Sequence, residues 1–80
     1  MTGYSLYPNH VIRISLLTTA GAETVARWFT PLVQALGGSV QLATWPPEVY
    51  ITLPQDAAYE ELLLGWEYDL IATPERIEAA

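Results

Sequence analysis

The residues able to do acid-base, nucleophilic or metal chemistry are few and poorly grouped. The chain has one histidine, His10, and no cysteine, so a zinc site, which needs several His, Cys or carboxylate ligands, is excluded. A cation site built from carboxylates alone would be weak. His10 follows Pro8 and Asn9 with no Ser, Cys or Asp at a spacing that would make a nucleophile, a base and an orienting group, and it reads as structural or surface. Glu60, Glu61, Glu67 and Asp69 lie close in sequence, but general acid-base work needs a cleft that moves two carboxyl pKa values apart. An exposed helix supplies none, so these acids read either as a solvated face or as a negative surface for docking on basic protein. Gly37-Gly38 follows an amphipathic segment and reads as a helix stop, not as a phosphate loop, which would lead from a strand into a helix. The expectation is a protein without enzymatic activity, cofactor or metal, one that acts by binding.

Composition narrows what it binds. The net charge is -6, and it is unevenly spread. Residues 1–47 hold Arg13 and Arg27 against Glu23, a net of +1, whereas residues 48–80 hold eight acids against Arg76, a net of -7. A field of that sign repels phosphates and attracts basic protein surfaces, so direct binding of nucleic acid is not expected. Hydrophobic residues make up 51% of an 80-residue chain, more than a core of this size readily hides, which points to a homodimer or a permanent partner. No apolar run is long enough to span a membrane and Met1–Ser5 lacks the basic start of a signal peptide, so a cytoplasmic location is expected.

The elements that must position these residues are read from periodicity. Between His10 and Thr18, Ile12, Ile14 and Leu16 alternate with Arg13, Ser15 and Leu17, as in a strand. Val25, Trp28, Phe29, Leu32, Val33 and Leu36 then recur at helical spacing, with Glu23, Arg27, Thr30 and Gln34 opposite; Pro31 predicts a kink near Phe29 or two helices in series. Val40–Thr44 and Val49–Leu53 alternate as a hairpin. Its turn cannot be a two-residue type I′, because proline does not take positive φ, so a wider Trp45–Glu48 loop is expected, with a cis Trp45–Pro46 bond as one way to close it. Asp56 is the expected N-cap of a second helix with the core stripe Tyr59, Leu62, Leu63, Trp66 and Leu70. Thr73-Pro74-Glu75 signals a short terminal helix.

The reading is one α+β domain over residues 1–80, with residues 1–9 an N-terminal arm. The β-α-β-β-α order gives a three-stranded sheet with two helices packed on one face, and it resembles the ferredoxin-like βαββαβ plan lacking its last strand. The uncovered sheet face should present Arg13, Leu17, Gln41, Ala43, Trp45, Tyr50 and Thr52. Trp45 and Tyr50 there pack under the arm, against a second copy or on a partner. On the second helix Leu64 and Tyr68 project outward one turn apart beside Glu61; they form an interface, or the terminal helix covers them through Ile77. The partner-binding set is therefore Trp45, Tyr50, Glu60, Glu61, Leu64, Glu67, Tyr68 and Asp69.

In size, acidity and lack of lysine and of any catalytic motif, the chain resembles the small phage-encoded inhibitors of host defence, the anti-CRISPR proteins among them. That resemblance implies an inhibitor occupying a basic, nucleic-acid-binding surface of a host protein, such as a CRISPR effector complex. The other expectation is a small regulatory or dimerisation module that binds a ligand or itself through the open sheet face.

Overall fold

The computed structural model describes residues 9–54 and 56–72. Strand β1 (Asn9–Ser15), helix α1 (Thr19–Ala35), strands β2 (Ser39–Thr44) and β3 (Pro47–Pro54), a single turn of helix α2 (Tyr59–Leu62) and strand β4 (Asp69–Ala72) follow in that order. The sheet has four strands in the order β2-β3-β1-β4, and every neighbouring pair is antiparallel. No helix among the described residues is long and apolar enough to cross a membrane. The arm before Asn9 and the helix expected after Thr73 lie outside the described residues.

β1 places Ile12 and Ile14 in the core as its alternation requires. It stops at Ser15, short of Thr18, because Thr18 is taken as the N-cap of α1: its Oγ1 accepts from the Gly21 amide at 2.9 Å. Leu17 thus falls in the connection, off the sheet face where it was expected, and is 100% exposed. α1 buries Ala22, Val25, Ala26, Phe29 and Val33. The alanines let the helix approach the sheet closely, so the buried stripe is centred on them, and Trp28, Leu32 and Leu36, expected in the core, remain partly exposed on one flank. Pro31 sits inside one continuous helix, not between two. The bond it removes would have gone to the carbonyl of Arg27, an exposed residue whose carbonyl water can serve.

Gly37 and Gly38 end α1 for two different reasons. Gly37 takes φ +86°, and the amides of Gly37 and Gly38 donate to the carbonyls of Gln34 and Val33 at 3.0 and 2.9 Å, the paired bonds of a Schellman motif. Gly38 has ordinary φ but lies against β3, where a side chain would have no room. The hairpin pairs β2 and β3 without a register shift from Ser39↔Thr52 to Thr44↔Pro47, so only Trp45 and Pro46 are left in the turn. The turn is therefore narrower than expected, and it is closed by a cis Trp45–Pro46 bond, the arrangement that admits proline at the second central position.

The second half of the expected fold is corrected. α2 is four residues long, its N-cap is Ala58 and not Asp56, and no side chain caps it. Gly65, at φ +88°, stands where the expected helix would have continued. The chain then extends, and Asp69–Ala72 joins the free edge of β1 as a fourth strand. Leu64 and Tyr68 are consequently not neighbours on a helix. The observed element order is β-α-β-β-α-β.

Phe29, Ile12, Ile14, Val33, Val49, Ile51, Leu53 and Leu63 make a core with essentially no exposed side-chain surface. Trp66 closes it from the α2 side: its ring lies 5.2 Å from Phe29, edge to face, and 6.1 Å from Trp28. α1 and the 57–68 segment therefore cover the same face of the sheet, leaving the other without a covering element among the described residues.

Candidate functional site

The uncovered face carries Arg13 at its centre. Because β1 lies between β3 and β4, Arg13 is paired with Tyr50 on one side and Asp69 on the other, and Glu48 lies two residues from Tyr50 on the same face. The Arg13 guanidinium donates to Asp69 at 3.0 Å, its Nε lies 3.8 Å from Glu48, and the Tyr50 hydroxyl donates to Glu48 at 2.7 Å. The hydrogen bond to Asp69, with the charges of Asp69 and Glu48, pushes the Arg13 pKa further up. The hydrogen bond to Glu48 raises the Tyr50 phenol above its ordinary value, helped by partial burial and the Glu48 charge and opposed by Arg13.

This network ties β3, β1 and β4 together across the open face. The Arg13–Asp69 pair is largely solvated, with Asp69 59% exposed. Asp69→Asn should therefore lower stability only slightly, and the difference should shrink in high salt. Thermal unfolding of both proteins at two salt concentrations measures this. The raised Tyr50 value has a definite pH consequence. A group whose folded pKa is raised stabilises the fold below its unfolded value, and this contribution disappears as pH rises through the folded value. The contribution of Tyr50 is thus complete at neutral pH and is lost in the alkaline range above the ordinary tyrosine value of 10.0. In a near-UV absorbance titration the Tyr50 ionisation should come late, above the ordinary value, and Glu48→Gln should bring it to lower pH.

One end of the sheet gathers the remaining candidates. The β1–α1 connection and the hairpin turn are bound together there: the Leu16 amide donates to the Pro47 carbonyl at 3.0 Å, and the Thr19 hydroxyl to the Thr44 carbonyl at 3.2 Å. Both connections present an apolar residue to water, Leu17 at 100% and Trp45 at 92% exposure. Ser15, at the same end of β1, lines with Glu67, Tyr68 and Asp69 an open depression of about 420 Å³. Among the described residues no group of three or more His, Cys, Asp or Glu is placed to hold a metal.

The sequence-derived binding residues are thereby divided. Trp45, Glu67, Tyr68 and Asp69 come to this end, with Tyr50 one pleat away on the open face. Glu60, Glu61 and Leu64 do not join them; they stand exposed on α2 and the turn after it. Tyr68 is not an outward anchor, since its ring packs at 6.3 Å from Tyr59 against the core. Trp45 is in the turn and not on the sheet face. Leu17, placed on that face by its alternation, belongs to the exposed tip instead; the signal that could have found it is the Thr18 cap, which ends the strand before it. A second depression, about 490 Å³, is lined among the described residues by Thr24, Arg27, Trp28, Pro31 and Leu32 on the flank of α1. Its described lining has two polar side chains and no acid.

No protein-family model matches the chain, and neither does any curated protein or solved structure.

Proposed function

We propose that the protein is a non-enzymatic binding domain that docks on a basic, nucleic-acid-binding surface of a protein partner, an inhibitor of the anti-CRISPR type. The observation that carries this reading is the meeting, at one end of the sheet, of two almost fully exposed apolar residues, Leu17 and Trp45, with the acid-lined depression of Glu67 and Asp69. An interface of this composition draws its strength from aromatic and aliphatic anchors that exclude water, while neighbouring acids select a Lys or Arg side chain. Glu67, exposed beside the depression, adds to the negative field there, while Asp56, Glu60 and Glu61, exposed on the preceding segment away from this end, add only to the overall acidity that attracts a basic partner. Glu48 and Asp69 contribute less to that field than their number suggests, because Arg13 sits between them.

The test is competition. A guide-loaded CRISPR effector is mixed with its target DNA and increasing amounts of the protein, at several salt concentrations. Loss of DNA capture that weakens with salt supports the reading, and capture unchanged at excess protein sinks it.

The observed β-α-β-β-α-β order favours a second reading, a regulatory module of the ferredoxin-like plan that uses its open sheet face for a ligand or a second copy. Such a use requires the Arg13, Glu48, Asp69 and Tyr50 network to be covered or rearranged. A ligand that shifted the late tyrosine titration would support it over the first.

A further inference from the structure

The two edges of the sheet are built differently. β4 is four residues long, its pairing with β1 shifts register between Val11 and Ile12, and it begins with Asp69 bound to Arg13. Shortness, an irregular register and a charge are the devices by which proteins keep an edge strand from pairing further. β2 has none of them. It is a six-residue edge, Ser39-Val40-Gln41-Leu42-Ala43-Thr44, paired residue for residue with β3, with no charge, proline or glycine in it. Among the described residues only the Thr44 carbonyl is engaged from outside the sheet, by Thr19.

We propose that β2 is a self-association edge on which a second copy of the chain pairs antiparallel, about a two-fold axis through Gln41. A two-fold axis perpendicular to the sheet keeps the covered faces on the same side, so facing residues must share a pleat. The axis through Gln41 satisfies this and sets Val40 opposite Leu42 of the second copy, Gln41 opposite Gln41, and Ser39 opposite Ala43. Leu42, 41% exposed in the single chain, and the half-buried Val40 are then covered by each other on the α1 side.

A second copy fits because the edge is self-complementary, the same two side chains, Val40 and Leu42, covering each other across the axis, and because charge does not oppose it there. Two chains of net charge -6 repel each other unless they meet where that charge is absent. The exposed acids Asp56, Glu60, Glu61 and Glu67 are on the segment that crosses from β3 to β4, away from β2. α1 packs on β2 and β3 and turns Trp28 towards Trp66 on that acidic side. At 100° per residue its opposite flank is Glu23, Arg27, Thr30 and Gln34, one acid and one base, and this flank borders the β2 edge. The β2 side is therefore neutral overall, and the pairing leaves Leu17, Trp45 and the acidic depression free.

Sedimentation across micromolar to millimolar concentrations should give twice the 8.9 kDa chain mass. Leu42→Lys, which puts a charge on a partly exposed edge position, should return the mass to that of one chain with unchanged far-UV circular dichroism. The chain has no cysteine, so Gln41→Cys introduces a single thiol beside its symmetry mate. Oxidation should link that variant into a dimer under conditions in which Ile71→Cys, on β4, stays monomeric. The proposal is overturned by a single-chain mass at every concentration, by a dimer that survives Leu42→Lys, or by cross-linking through Ile71→Cys in place of Gln41→Cys. A monomer that takes up an extended peptide of another protein along β2 overturns the choice of occupant.

Discussion

Gly38→Ala should cost about 3 kcal/mol or more, enough in a domain of this size to lower Tm by roughly 12–24 °C. A methyl group at this position would lie 2.1 Å from the carbonyl oxygen of Thr52, 2.9 Å from Cγ1 of Val33 and 3.1 Å from Cδ2 of Leu53. A flexible side chain could yield at the last two contacts. The Thr52 oxygen cannot, because it belongs to the backbone of β3, whose neighbours Ile51 and Leu53 are fully buried. Relief requires the end of α1 to lift from the sheet, and Val33 and Phe29 would lift with it. Gly37→Ala is the control. Gly37 also requires glycine, but through its left-handed φ; its nearest obstacle is Cγ of Pro54 at an ordinary 3.5 Å, so its cost should be about 1–2 kcal/mol. Urea or thermal unfolding of the two variants ranks them, and equal loss of stability would contradict the steric account.

The second large effect is on binding. Leu17→Ala combined with Trp45→Ala should weaken capture of the proposed basic partner at least ~100-fold, about 2.7 kcal/mol, while leaving Tm almost unchanged. The reason is the separation of roles in the structure. Neither side chain has much to lose on truncation in the free protein, since both are almost completely exposed, and surface changes of this kind stay within about 0.5 kcal/mol. Glu67→Lys should weaken capture by reversing the charge of the depression, with a loss that diminishes as salt rises. Binding that persists in both backgrounds would move the interface elsewhere, and Glu60, Glu61 and Leu64 on α2 and its turn would be the next residues to change.

The local half of the fold was legible in the sequence. The alternation of Ile12 with Ile14 and of Val49, Ile51 and Leu53, the helical spacing from Val25 to Val33, and the glycine stop after Leu36 are each decided by residues close in the chain. The exclusion of zinc chemistry needs only a residue count. What lay beyond the sequence was the stretch from Tyr59 to Ala72. Tyr59, Leu62, Leu63, Trp66 and Leu70 fit one face of a helix, and a short apolar run such as Leu70-Ile71-Ala72 serves a helix and a strand equally well until something pairs with it. What pairs with it is the vacant edge of β1, and Arg13, 56 residues away from Asp69, helps to hold it there.

The candidate site followed the same division. Residue types and their order establish that the chain has few groups for catalysis, that it is strongly acidic, and that Trp45 and Leu64 lack an assured place in a core. Which charges remain to act depends on how the strands pair. The sequence separates a neutral first half from an acidic second half, but folding brings Arg13 of the first between Glu48 and Asp69 of the second, because β1 is the strand lying between theirs. It also turned Tyr68 inward and set Leu17 beside the Trp45 turn. These are contacts between residues far apart in the chain, and the cost and gain of closing such loops are set by the packing of the whole domain, which no local pattern records.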